Sequence, residues 1–300
     1  MLLEVENLRI AFHRDGKEIV PVRDVSFSVP EHGRVALVGE SGCGKSLTAL
    51  SLARLSPTDR ASISGTTKFN GRIAYVFQNP SDSLNPVMRI AAQIREALPK
   101  GMDRKAQDAR ILELLARTGL PDPARAAHAY PCELSGGQQQ RCMIAMALAA
   151  APDLLVADEP TTALDVTTQK QVLALIDALA AETGMAVLLI THNLGLVAGR
   201  MDEVHVMYAG RIVERGPVVE VLSHPRHPYT KGLLAAVPAL DAPRDAPLAD
   251  IPGTVPPPDA WPAGCAFWPR CGAVQDRCRR EPPPERAQGA CRCACWSVPS

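Results

Sequence analysis

The chain has 300 residues, 46% of them hydrophobic but only 4% aromatic, with 32 basic and 32 acidic side chains. That suffices for one large domain or two modest ones around an aliphatic core, and a net charge of zero lacks the basic excess of a nucleic-acid binder. No apolar run reaches the ~18–20 residues of a membrane span, and the acidic, alternating start MLLEVENLRI does not read as a secretion signal, so a soluble cytosolic chain, free to sit on a membrane protein, is expected.

Residues 2–12 and 22–29 alternate polar and apolar, as antiparallel strands do. RVALVG (34–39) reads as a short buried strand, and a helix runs from Gly44 through Arg54. IAYVFQ (73–78) is another strand. From about Asn85 to Ala150 the texture is helical, through VMRIAAQIREAL, DRKAQDARILELLARTGL and the stretch after LSGG. Alternation returns with LLVAD (154–158), a helix over 166–182, MAVLLIT (185–191), EVHVMY (203–208) and RIVERG (211–216), and HPYTKGLLAAVP (227–238) is a last short helix. This order predicts an α/β fold interrupted by a helical insertion. The expected divisions are an α/β core over 1–84 and 151–237, a helical subdomain over 85–150, a proline-rich linker over 238–260 and a cysteine-rich segment over 261–300.

GESGCGKS fits G-x-x-x-x-G-K-[ST] and sits between a hydrophobic strand and a helix, where that motif cradles phosphates. Backbone N–H groups along Gly39, Glu40, Ser41, Gly42, Cys43 and Gly44 can curl around a β-phosphate at a helix N-terminus. Lys45 is expected to reach the β- and γ-phosphates and Ser46 a magnesium ion, with Leu47 next in the binding helix. Cys43 reads as a small filler, not a nucleophile. In LLVADE, an apolar strand ending in Asp158 supplies the carboxylate that P-loop NTPases place beside magnesium, and Glu159 can polarise the attacking water. Gln78 and His192 end two further strands. A lone polar residue at such a point is more often structural, but strand ends on one edge of a parallel sheet converge on the ligand crevice. A second helix start, Ser135-Gly136-Gly137, also offers bare N–H groups and a hydroxyl to an anion.

LSGGQQQR, with Asp158–Glu159 downstream and THN at 191–193, resembles the nucleotide-binding subunit of an ABC transporter. The resemblance implies a P-loop NTPase core with an antiparallel β subdomain, an inserted helical subdomain and a small cysteine-rich C-terminal extension. It makes Leu134, Ser135, Gly136, Gly137 and Gln138 the signature motif that contacts a partner's ATP, Ala163–Asp165 the D-loop, Gln78 the Q-loop and His192 the H-loop. It puts Phe12 where an aromatic stacks on adenine, gives magnesium to Ser46, Gln78 and Asp158, and gives catalysis to Glu159, His192 and Gln78. Two subunits would pack head to tail, with each ATP between the phosphate loop of one and the signature helix of the other.

SDSLNPVM, HAYPCELSGG, ADEPTTALDVTTQ and the tail from HPYTKGLLAAVP through GTVPPP to the cysteines resemble the ATPase subunits of dipeptide and oligopeptide importers. The resemblance runs from about residue 2 to residue 296. Between the Lys45 helix and Gln78 the chain is shorter than is usual there, so a trimmed antiparallel subdomain is expected, and Cys132 stands where relatives often have His. The implied function is ATP hydrolysis driving uptake of short peptides, with nickel, glutathione or another solute as alternative cargo. The implied partners are two transmembrane permeases docked near residues 78–95, an extracytoplasmic substrate-binding protein, and a second ATPase subunit, a paralogue before a second copy. The site of action would be the cytoplasmic face of the bacterial inner membrane. A soluble ABC protein acting on nucleic acid or ribosomes fits less well, given one set of motifs and balanced charge.

Six of nine cysteines fall in the last 36 residues. In a reducing compartment such a cluster reads as metal-binding before it reads as disulfides. In the resembling importer subunits four such cysteines bind an iron–sulfur cluster, which carries over to Cys265, Cys271 and Cys278. The A-C-W context favours Cys295 as the fourth, with Cys291 and Cys293 as rivals. Four thiolates suit a [4Fe–4S] cluster or tetrahedral Zn2+. The absence of close C-x2-C pairs leans towards iron–sulfur, and an empty or disulfide-linked tail stays open. The expected role is a structural staple for a tail too short to bury its own core.

Overall fold

A computed structural model describes residues 1–14, 16–55, 61–162, 164–237 and 250–299. Ala163 of the expected D-loop and 238–249 of the expected linker lie outside the described residues. The chain opens with two long strands, β1 (Leu3–Arg14) and β2 (Lys17–Val29), then β3 (Arg34–Val38), which leads into α1 (Lys45–Leu52). After β4 (Ala61–Phe69) and β5 (Ile73–Val76) come α2 (Pro80–Ser83), α3 (Ile90–Ala97), α4 (Arg104–Arg117), α5 (Pro123–His128) and α6 (Gly136–Ala149). Strand and helix then alternate through β6 (Leu154–Asp158), α7 (Val166–Thr183), β7 (Ala186–Thr191), β8 (Glu203–Tyr208), β9 (Arg211–Pro217), α8 (Val218–Ser223) and α9 (Pro228–Ala235). The tail adds α10 (Asp276–Arg280), β10 (Arg286–Gln288) and β11 (Cys291–Cys293). The fold is mixed α/β, with antiparallel and parallel pairing, as expected.

The chain forms two compact units, the first built from Met1–Pro30, Arg34–Phe69 and Ile190–Ser300, the second from Glu31–Gly33 and Asn70–Leu189. In the first, β2, β1 and β4 make an antiparallel sheet, with Leu3 opposite Val29 on one side and Phe69 on the other. The alternation of β1 buries Leu3, Val5, Leu8 and Ile10 on one face. The register against β2 slips three times, and Asn7 takes a left-handed φ of 53° within this stretch, the marks of a bulged, strongly twisted strand. A second group of strands in this unit runs β10-β11-β9-β8-β3. Within it β3 and β8 are parallel, with Val38 opposite Val206, and β9 is antiparallel to β8.

The cysteine-rich tail joins this sheet. Cys293 pairs with Glu214 and Arg292 with Arg215, so β11 lies antiparallel on β9. Trp261 Nε1 donates to the Val20 carbonyl at 2.8 Å, and the Arg23 guanidinium lies 4.8 Å from the centre of the Trp261 ring.

In the second unit the strands run β7-β6-β5, and β5 and β6 are parallel. β6 is buried along its whole length, the continuous apolar run typical of a strand covered on both faces. Each of Leu154, Leu155 and Val156 contributes about 1.5–3 kcal/mol by leaving water. The helices carry their own start and stop signals: Asp103 caps α4 and Asp122, followed by Pro123, caps α5. α7 is capped by Asp165 and ends at Gly184, whose φ of 69° suits a residue without Cβ.

Candidate functional site

In the first unit the loop Gly39–Ser46, read from the sequence as the phosphate loop, joins β3 to α1. Gly39 is forced: a Cβ there would lie 2.1 Å from the Met207 carbonyl oxygen of β8. Gly44 caps α1 at φ 102°, where a Cβ would also meet the Pro21 carbonyl oxygen at 2.8 Å. As a glycine, the N-cap brings no side chain to the start of this helix. Lys45 is buried and its Nζ donates to the carbonyls of Gly39 at 2.7 Å and Glu40 at 3.0 Å. Cys43 is fully buried with its thiol pKa pushed up by desolvation, as an inert filler requires. Ser41, Gly42 and Ser46 are exposed, and Leu47 is half-buried. Phe12, on β1 between Ile19 and Ala61 of its neighbours, is half-buried. His192 follows β7 and is exposed.

In the second unit strand register builds the acidic end. Val76 of β5 pairs with Ala157 of β6, so Gln78 and Glu159 each come two residues later, side by side. Gln78 Nε2 donates to Glu159 Oε2 at 3.2 Å, and Thr162 Oγ1 donates to the same oxygen at 2.8 Å. Glu159 is held at a φ of 45°, a region a side-chain-bearing residue seldom occupies and one that costs of order 1 kcal/mol. Asp158 is buried and accepts a 2.6 Å hydrogen bond from Tyr75 OH. Desolvation, with Asp158 beside it, raises the Tyr75 pKa, so the phenol stays a donor. Tyr75 and Thr162 are additions to the residues read from the sequence; an aromatic in a strand gives no sign that its hydroxyl meets a carboxylate.

The second helix start is not bare. Ser135 Oγ accepts from the Gln138 amide at 3.4 Å, while Gln138 Oε1 accepts from the Ser135 amide at 3.0 Å, a capping box around Gly136 and Gly137. Ser135 and Gly136 are exposed, with Leu134, Gly137 and Gln138 half-buried. Asp165 caps α7: its carboxylate accepts from the Thr167 and Thr168 amides at 3.0 Å and from Thr168 Oγ1 at 2.7 Å. Those bonds, the Thr168 hydroxyl first, lower its pKa.

Cys265, Cys271, Cys278 and Cys295 line one cavity together with His227, Trp268 and Trp296. All are free thiols. Burial, with the other three sulfurs nearby, pushes the Cys265 pKa up to about 11. Among the described residues no three His, Cys, Asp or Glu side chains are drawn close enough together to hold a metal ion. The donor chemistry therefore suits a cluster or zinc while the sulfurs stand apart from ligation geometry. Cys291 and Cys293, the rivals for fourth ligand, are buried on β11 and do not line this cavity. A larger cavity of about 570 Å3 in the same unit is bounded by Arg23, Arg211, Arg215 and Phe267 and touches none of the phosphate loop.

Comparison with known proteins gives the family of the chain. The ABC transporter family profile matches residues 22–162, and the profile of the oligopeptide/dipeptide transporter C-terminal region matches residues 213–278. A Brucella abortus (strain 2308) protein named as a peptide import ATP-binding protein is 45% identical, over 94% of this chain and 90% of its own length. A Brucella ovis protein of the same name is 48% identical, over 94% and 93%. The dimeric post-hydrolysis state of the ATP-binding cassette MJ0796 bound to ADP and Pi superposes with a TM-score of 0.64 at 25% identity, covering 72% of this chain and 98% of that one. The cbiO1 subunit of Clostridium perfringens gives 0.63 at 23% identity, over 74% and 91%. The chain belongs to the ABC transporter family of ATP-binding subunits, in the branch that carries the oligopeptide/dipeptide transporter C-terminal region.

Proposed function

We propose that the chain is the ATP-hydrolysing subunit of an importer, and that it powers uptake of di- or oligopeptides through transmembrane permeases at the cytoplasmic face of the membrane. No helix among the described residues is long and apolar enough to cross a membrane, so the translocation path is assigned to partner chains. The observation that carries the enzymatic half is the end of β6. Glu159 follows the buried Asp158 in a strained backbone and is gripped by Gln78 and Thr162. A carboxylate fixed that way next to a magnesium ligand is placed to orient a water molecule. Ser46, Gln78 and Asp158 would hold magnesium, which supplies charge neutralisation on the phosphates when bound. Lys45 would exchange the carbonyls of Gly39 and Glu40 for phosphate oxygens, Phe12 would face the adenine, and His192 would contact the γ-phosphate.

Ser135, Gly136, Gly137 and Gln138 are assigned to the nucleotide of a second ATPase subunit, a paralogue in preference to another copy; the dimeric state of the similar MJ0796 cassette supports pairing of this kind. An extracytoplasmic binding protein would select the cargo. Phosphate release with Mg-ATP by the assembled transporter tests the core of the proposal. Glu159→Gln should lower turnover about 10²–10⁴-fold while ATP binding persists, and undiminished turnover removes Glu159 from the chemistry.

For the tail we infer a [4Fe–4S] cluster on Cys265, Cys271, Cys278 and Cys295. The support is four thiols lining one cavity, and the cluster's contribution would be a covalent staple for the extension. Iron and acid-labile sulfide in anaerobically purified protein decide it. Zinc in their place gives a tetrahedral site on the same ligands, and a metal-free chain of undiminished thermal stability refutes both.

A further inference from the structure

The phosphate loop carries a negative charge of its own. Glu40 is the second residue of GESGCGKS, and a carboxylate there opposes the approach of a polyphosphate. It is answered from far along the chain. Arg270, in the cysteine-rich extension, has its side chain 3% exposed and points its guanidinium fork at Glu40. Nη1 donates to Oε2 at 2.7 Å and Nη2 to Oε1 at 3.0 Å, the bidentate pairing that fixes both distance and plane. The remaining donors are anchored too: Nε to the Pro252 carbonyl at 2.9 Å and Nη2 also to the Ile251 carbonyl at 3.1 Å. The guanidinium lies beside the rings of Tyr208 and Phe267, at 5.8 and 5.9 Å from their centres.

Glu40 is held at two further points. Its amide donates to Tyr229 OH at 2.7 Å and its carbonyl accepts from Lys45 Nζ at 3.0 Å. The start of the loop is thus fastened to α9 by the amide, to the phosphate-binding lysine by the carbonyl, and to the extension by the side chain. All of these groups belong to the first unit.

We propose that Arg270 is a positioning residue of the ATPase: it neutralises Glu40 and fixes the first turn of the phosphate loop, so that nucleotide affinity depends on the C-terminal extension. This rests on the reading of Gly39–Ser46 as the ATP site. Two contributions are separable. The neutralising part is electrostatic and disappears if the carboxylate goes; the fastening part requires a forked donor, which lysine cannot supply.

Mg-ATP titration of the full-length chain tests it, with melting temperature recorded for each variant. Arg270→Gln leaves the Glu40 carboxylate uncompensated, and Kd for Mg-ATP should rise about tenfold, the scale of one partly screened charge pair. The double variant Glu40→Gln/Arg270→Gln removes the repulsion and should return Kd to within about threefold of the parent. A merely structural arginine would lower the melting temperature in both variants without this recovery of affinity. Arg270→Lys keeps a buried cation without the fork, and in the assembled transporter it should raise KM for ATP several-fold at unchanged kcat. It decides the matter if Arg270→Gln does not fold, and an unchanged KM then overturns the proposal. An unchanged Kd in folded Arg270→Gln, or a double variant as weak as the single, also overturns it. Failure of the parent chain to bind Mg-ATP, with Lys45→Ala indistinguishable from it, instead overturns the ATP-site reading.

Discussion

The two helix starts that suit an anion, α1 after Gly44 and α6 after Ser135, are built on opposite plans. α1 begins from a left-handed glycine that has no side chain to cap with, and a buried lysine stands beside it. α6 begins with a reciprocal serine–glutamine cap that already occupies the Gln138 and Ser135 amides. A start on glycine leaves no side chain in the way of an anion, whereas a self-capped start is stable alone and must trade an internal bond for each external one. The 3.4 Å Gln138–Ser135 bond is the long one of the pair and the easier to give up. The second plan suits a contact that has to form and break.

Breaking the glycine start should have the largest effect. Lys45→Ala removes the cation next to α1, and Mg-ATP affinity of the full-length chain should fall about a hundredfold; titration checks this, and a loss under threefold contradicts the assignment. A milder probe acts through β8, whose Met207 carbonyl crowds Gly39. His205 on that strand is buried, 5.7 Å from the Phe27 ring, and among the described residues neither ring nitrogen is hydrogen-bonded, Glu203 Oε2 lying 3.9 Å from Nε2. Desolvation, with Arg215 adding to it, lowers its pKa to about 3. The unfolded histidine titrates near 6.5, so the unfolded state takes up the proton first and stability falls with pH from about 6.5 towards 3. Between pH 8 and pH 5 this one group should cost about 2 kcal/mol. Thermal melts of His205→Leu should lose that part of the pH slope, and an unaltered slope rules His205 out as its source.

Touching the capped start should be gentler and of another kind. Ser135→Ala should cost about 1 kcal/mol of stability, leave the single chain's Mg-ATP affinity unchanged, and lower phosphate release by the assembled pair about tenfold; weaker binding by the single chain would erase the distinction between the two starts. Gly137→Ala should be the smallest. Its Cβ would come 3.0 Å from Thr168 Cγ2, a squeeze that the gain in helix propensity of about 0.5–1 kcal/mol offsets, so the melting temperature should stay within a degree or two.

What the sequence reveals follows from where each structural requirement lies. Gly39 and Gly44 are legible because the backbone excludes every other residue there, and the cap residues Ser135 and Asp165 because their bonds are local. β6 is legible because burial on both faces demands an unbroken apolar run. β4 leaves no trace in the hydropathy: ASISGTTKF is almost wholly exposed, so no side chain reports the ladder it makes with β1. The three-residue strands of the tail are too short to show a period. The contact of Arg270 with Glu40 spans 230 residues, and neither residue stands in a pattern that points to the other.

The antiparallel seam between β11 and β9 has a consequence for expression and truncation. The rim of β9 turned away from β8 is covered, among the described residues, by Cys293 and Arg292 at Glu214 and Arg215, and these leave the ribosome long after β9 has been made. Until then that rim is open to strands of other nascent chains, and deleting the last dozen residues would leave it so permanently. Shortened versions of this protein should self-associate through their sheets before they show any defect in nucleotide chemistry.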